Sequence, residues 1–147
     1  MTHTLKSLLA ALILLLPLSV YAENSTKAYG YTVHHNAIPV SMLSPEIATS
    51  YGLVRSKYRG IINISVIKDV PGTTGTPVTA QVTARATNII GQMNNIHLRE
   101  IREGEAVYYI GEFPIADQET LTFRLEVTPA GLDRSIKAQL SQQFFID

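Results

Sequence analysis

Arg55, Lys57 and Arg59 alternate with Ser56 and Tyr58 in a single short run. If that run is extended, the three cations share one side, because successive side chains of a strand point to opposite faces. Such a positive stripe suits a carboxylate or phosphate on a peptide, a lipid head group or a glycan, since arginine offers paired N–H donors to these oxygens. The same pattern has a structural use, because charge on an edge strand or loop discourages pairing with other chains. The binding candidates are therefore Arg55, Lys57, Tyr58 and Arg59, and both uses stay open at this level.

A second set is histidine and methionine. Beyond residue 22 the chain holds His34, His35, His97, Met42 and Met93. Imidazole and thioether groups both ligate copper, which makes His35, Met93 and His97 the candidate metal set. Adjacent strand residues face opposite ways, so only one of His34 and His35 can join a given site. Met93 and His97 bracket a turn, which is not a recognised ligand spacing, and ordinary surface or half-buried side chains explain them more simply. No cofactor is expected.

Catalytic signatures are missing. There is no G-x-S-x-G elbow, no H-E-x-x-H and no glycine-rich phosphate loop. No serine is paired in sequence with a base and an orienting acid, and Glu112 and Glu126 read as solvated or ion-paired strand residues. A hydrolase stays open only as a constellation assembled in three dimensions. Tyr29, Tyr31, Tyr51, Tyr58, Tyr108, Tyr109 and Phe113 could form a stacking platform, but tyrosines capping a core are the simpler account. Tyr108 and Tyr109 must face opposite sides, which sends one of them inward.

The elements that position these residues are mostly strands. Tyr29–Ala37 is aromatic and β-branched. Arg59–Lys68 alternates, with Ile62, Ile64 and Val66 on one face. Val78–Ile90 follows the turn cluster 71–77, and Ala80, Val82, Ala84 and Ala86 share a face. Ile96–Arg102 and Glu105–Phe113 flank Glu103-Gly104, a tight hairpin that would set Arg102 opposite Glu105. Thr120–Thr128 sends Leu121, Phe123, Leu125 and Val127 inward, and Ser135–Ile146 is the last strand. The one helix, about residues 44–51, has Ser44 as N-cap, Pro45 at the first helical position, Glu46 at the positive end and Gly52 just past the end. Ile47 and Tyr51 would share one face of it. About seven strands and one short helix predict an all-β, immunoglobulin-like β-sandwich, with a small β-barrel as runner-up.

Residues 1–22, MTHTLKSLLAALILLLPLSVYA, have the layout of a secretory signal. Lys6 precedes an apolar run from Leu8 to Val20, and Val20 and Ala22 occupy the −3 and −1 positions of a cleavage site. The run is short of the roughly 20 apolar residues of a spanning helix. Cleavage after Ala22 leaves Glu23–Asp147, with residues 23–27 expected as a flexible start and 28–147 as one domain. Without Lys6 the remaining chain has 11 Lys and Arg against 12 Asp and Glu. That balance argues against nucleic acid and anionic lipid as partners. No cysteine is present. Disulfides, cysteine metal sites and a lipid anchor on Cys are thereby excluded, so packing and hydrogen bonds must hold the domain together.

Tyr51–Val66 (YGLVRSKYRGIINISV) and Arg99–Pro129 resemble a family of small exported bacterial proteins known only as a domain of unknown function. The resemblance runs from about Tyr29 to Phe145 and is most specific at VRSKYRGIINIS and YYIGEF. It implies a single periplasmic β-sandwich domain and carries no catalytic or binding residues. The expected function is a non-enzymatic accessory domain that binds an extended or anionic partner, such as another envelope protein or peptide. Copper handling and an unrecognised hydrolase are the alternatives. Mass spectrometry of the exported protein should show an N-terminus at Glu23; a retained N-terminal segment would overturn the export reading.

Overall fold

The computed structural model describes residues 24–147, so the expected signal and its cleavage point lie outside the described residues. Ten strands form two antiparallel sheets. They are β1 (Ser25–Ala28), β2 (Tyr31–Pro39), β3 (Arg59–Lys68), β4 (Thr76–Pro77), β5 (Ala80–Thr87), β6 (Met93–Ile96), β7 (Arg99–Glu103), β8 (Ala106–Pro114), β9 (Thr120–Pro129) and β10 (Ile136–Gln143). The first sheet has the order β1-β2-β3-β8-β7, with β4 sharing an edge of β3; the second has the order β10-β9-β5-β6. Both sheets end in open edges, so the fold is the sandwich and not the barrel.

The strand count exceeds the expected seven for three reasons. The start expected to be flexible contains β1, whose Ser25 pairs with His34 and Ala28 with Tyr31. Tyr29 and Gly30 make the turn, both with positive φ (54° and 81°). That is what a type I′ hairpin demands, and tyrosine is an uncommon residue to supply it. The Arg134 guanidinium lies over the Tyr29 ring at 4.9 Å. The two-residue β4 adds a second strand. The third comes from the run 96–102, which is divided: β6 belongs to the second sheet and β7 to the first, and the chain crosses between them at His97-Leu98.

Register corrects one cross-strand pair. Glu103 pairs with Ala106, so the hairpin loop is Gly104-Glu105 and Arg102 faces Val107 rather than Glu105. Gly104 takes a positive φ of 58° at the first loop position, which shifts the turn by one residue from the expected one. Arg102 Nε donates instead to Glu100 Oε2 at 3.1 Å.

The interior follows the alternation in the sequence. Ile62, Ile64 and Val66 of β3 face Leu121, Phe123, Leu125 and Val127 of β9 across the sandwich, all buried. At one end three phenylalanines meet edge to face: Phe113 of β8 lies 4.8 Å from Phe123 and 5.5 Å from Phe144. Gly60 is paired with Phe113 across β3 and β8, and a Cβ there would stand 2.4 Å from the ring. Between the sheets the Tyr109 hydroxyl donates to Glu100 Oε1 of β7 and accepts from Ala80 N of β5, each at 2.8 Å. That bond holds Glu100 below the usual carboxylate range, with Arg102 acting in the same direction.

The outer face of the first sheet is covered as well. Helix α1 (Pro45–Ser50) forms where expected, with Ser44 Oγ accepting from Ile47 N at 3.2 Å. Its buried residue is Ala48, whereas Ile47 is 45% exposed. A helix this short lays one small side chain on the sheet and leaves the rest of its surface in water. Val40, Ala48 and Leu53 pack on Ile61 and Ile110 as a second apolar cluster, with Tyr108 at its margin. Tyr109 faces the main core. The adjacent pairs Ile61-Ile62 and Tyr108-Tyr109 thus serve two separate cores.

His35 breaks the apolar pattern. It is 2% exposed on the inner face of β2, between Val33 and Ala37. Its Nε2 bonds to the Thr26 hydroxyl at 3.1 Å, and its Nδ1 has no partner. Burial pushes its pKa below the ordinary 6.5.

Two predictions follow from this packing. Gly60→Ala drives a methyl into Phe113, and urea titration should show a loss of about 1–3 kcal/mol; an unchanged midpoint would show that the ring moves freely. For His35 the unfolded chain takes up the proton first as pH falls below 6.5, so stability is full above that value and declines below it. Urea midpoints measured from about pH 7.5 to about pH 5 should therefore drop, and His35→Gln should remove part of that slope. An unaltered slope would assign it to other groups.

Candidate functional site

The crossing from β6 to β7 builds the site. As the chain passes from one sheet to the other it lies against Gly111 of β8. A Cβ at Gly111 would be 2.5 Å from Ile96 Cγ2 and 2.7 Å from the His97 carbonyl oxygen, so only glycine admits this path. The crossing sets His97 and Arg99 beside the outward residues of β3 and β8. Arg59, His97, Arg99 and Glu112, with Gly52, Leu53, Ile110 and Gly111, line a pocket of about 290 Å³.

Its charges are partly engaged. Arg59 Nη2 donates to Glu112 Oε2 at 3.4 Å, with side chains 43% and 31% exposed. A pair this exposed contributes about 0–1 kcal/mol. Arg99 Nη2 donates to the Tyr51 carbonyl and so ties the end of α1 to the sheet. The lining holds one carboxylate and no serine or threonine, so neither paired carboxylates nor a nucleophile–base pair forms there. Strand β7 begins opposite Ile110, and among the described residues no strand pairs β8 on that side from Gly111 to Pro114.

The basic run takes a different form from an extended stripe. Gly52, Leu53 and Arg59 line the pocket, and residues 54–58 loop away between them. Arg55 Nη2 donates to the Ser41 carbonyl at 3.1 Å. Lys57 Nζ reaches the Asp147 carbonyl at 3.1 Å and lies 5.3 Å from the Tyr58 ring centre. Tyr58 is 58% exposed. The three cations thus point to three different acceptors, and of the four candidates only Arg59 enters the pocket.

The metal candidates are dispersed. His35 lies inside the core, Met93 is 60% exposed on β6, and His97 is on the crossing. Four residues of extended chain separate Met93 from His97 by roughly 13 Å, too far to share an ion. Among the described residues no three His, Asp or Glu side chains gather at metal-binding distance.

A site not anticipated from the sequence lies on the outer face of the second sheet. Arg85 and Arg124 stand directly opposite each other on β5 and β9. Asn95 and Gln139 extend their row to both edges of the sheet. The outward positions of Arg85 and Arg124 were legible from alternation, but their register was not.

A family described as "Domain of unknown function (DUF4426)" matches residues 25–147. A crystal structure of a DUF4426 family protein from Pseudomonas aeruginosa PAO1 is 32% identical, with a TM-score of 0.70 over 84% of this chain and 94% of that one. FetP of uropathogenic Escherichia coli strain F11, expressed recombinantly in the periplasm of Escherichia coli, shares the fold at a TM-score of 0.60 and 7% identity, over 86% of this chain and 95% of that one. No curated protein matches the sequence. The match over residues 25–147 and the 32% identity to a solved DUF4426 protein agree: the chain belongs to the DUF4426 family.

Proposed function

We propose that this protein is a non-enzymatic periplasmic accessory domain that holds an extended, acidic segment of an envelope protein or peptide. The observation that carries the reading is the convergence of Arg59, His97 and Arg99 on one pocket containing a single carboxylate. The stretch of β8 beyond the crossing, Glu112–Pro114, has no strand partner on that side among the described residues and offers backbone groups along which an extended segment can add. A carboxylate on that segment would compete with Glu112 for Arg59, an exchange that costs little because the existing pair is exposed. Arg55 and Lys57 sit on the loop that leaves the pocket at Leu53 and returns to it at Arg59, and their charge would help draw an acidic partner toward it. The location is supported by the signal-like N-terminus and by the family resemblance. Among the described residues no helix is long and apolar enough to cross a membrane.

The test uses a short acidic peptide of alternating Glu and Thr, with a Lys-Thr peptide as control, followed by NMR. The acidic peptide should shift the His97 ring and the Gly111 and Glu112 amides saturably, and added salt should weaken it. Arg59→Ala should reduce affinity several-fold while leaving the remaining spectrum intact. Equal shifts with the Lys-Thr peptide, or none with either, would overturn the reading.

A further inference from the structure

The outer face of the second sheet carries two arginines that have no partner among the described residues. Arg85 of β5 and Arg124 of β9 are cross-strand neighbours, and like charges placed directly opposite destabilise a ladder. Elsewhere the chain relieves its arginines: Arg55 and Arg99 reach carbonyls, and Arg59, Arg102 and Arg134 reach carboxylates. Among the described residues neither Arg85 nor Arg124 makes a hydrogen bond or an ion pair with another side chain. Both line a shallow concavity of about 570 Å³ together with Asn95, Lys137, Gln139 and Glu126. Three cations thus face one carboxylate, and that carboxylate, Glu126, stands opposite Lys137 in the neighbouring row.

We infer that Arg85 and Arg124 together form a binding site for a phosphoryl dianion. Each guanidinium presents a planar fork of N–H donors. A carboxylate, with two oxygens and one charge, satisfies one fork. A phosphate monoester has three terminal oxygens and a charge near −2 above its second pKa of about 6, so it can meet both forks and cancel the repulsion between them. Asn95 and Gln139 flank the pair along the same row and supply amide donors for further oxygens. Every side chain of the row itself is polar and the solvent-directed Thr83 lies nearby, which suits a hydrophilic head group. This site is separate from the pocket at Arg59 and does not depend on the peptide reading.

The experiment is titration of the purified processed protein with inorganic phosphate, read on the arginine Nε–Hε signals against sodium chloride at matched ionic strength. Arg85 and Arg124 should shift together and saturably, and phosphate should raise the melting temperature where chloride does not. Arg85→Gln and Arg124→Gln should each weaken binding by about tenfold or more. Without phosphate, each should melt at or above the wild-type temperature, because a repulsive pair has been removed. That second readout separates a lost ligand site from a damaged fold. Co-sedimentation with vesicles containing phosphatidic acid distinguishes the sources: binding there beyond neutral vesicles assigns a lipid phosphoryl group, and phosphate binding alone assigns a free ion. No saturable shift with either probe, or an unchanged response in Arg124→Gln, would overturn the assignment.

Discussion

Contact between the two sheets is what everything else rests on, and its tightest part is the meeting of Phe113, Phe123 and Phe144. Phe113 comes from the first sheet, Phe123 from the second, and Phe144 from the chain just beyond β10. Each edge-to-face pair adds about 0.5–1.5 kcal/mol to the burial of its rings. The Phe144 amide bonds to the Glu119 carbonyl at 2.9 Å, which anchors the end of the chain beside the start of β9. With no cysteine to staple the sheets, this packing has no covalent substitute. It also fixes register. Gly60 must stand opposite Phe113 to make room for the ring, and that pairing sets Arg59 within reach of Glu112.

The sheets differ in what covers their outer sides. The first is buried on both faces where α1 and the preceding chain seal Ile61 and Ile110. The pocket at Arg59 forms at the margin of that cover, where the crossing ends and β7 begins. The second sheet is buried on one face only, and its other face is a wide polar surface. One sheet thus offers a recessed, partly neutralised site, and the other an open, uncompensated one.

The cations divide along the same line. Those near the pocket have acceptors within the protein, which lowers their pull on a ligand while holding them in place. Arg85 and Arg124 have none among the described residues, which leaves their charge available and costs the sheet some stability. An unrelieved like-charge pair of this kind conflicts with the otherwise consistent design of the domain, and such conflicts are expected where a surface does something besides fold.

Much of the sandwich was legible in the chain itself. Alternation in Arg59–Lys68 and Thr120–Thr128 assigned the inward residues correctly, because a strand with one buried face must repeat every second residue. Ser44, Pro45 and Gly52 marked the helix because capping is local chemistry. The lone positive run was visible, but not its geometry, since residues 54–58 loop out ahead of β3 and Arg55, Lys57 and Arg59 each reach a different acceptor. The strand β1 was hidden by a Tyr-Gly turn that takes an uncommon backbone conformation. The switch of sheets at His97-Leu98 was hidden because no glycine or proline marks it; the glycine that permits it, Gly111, lies on another strand. The sequence by itself determined composition, periodicity and caps, all set by near neighbours. Only the tertiary structure decided which charges meet, because register and sheet crossing depend on contacts between residues far apart in the chain.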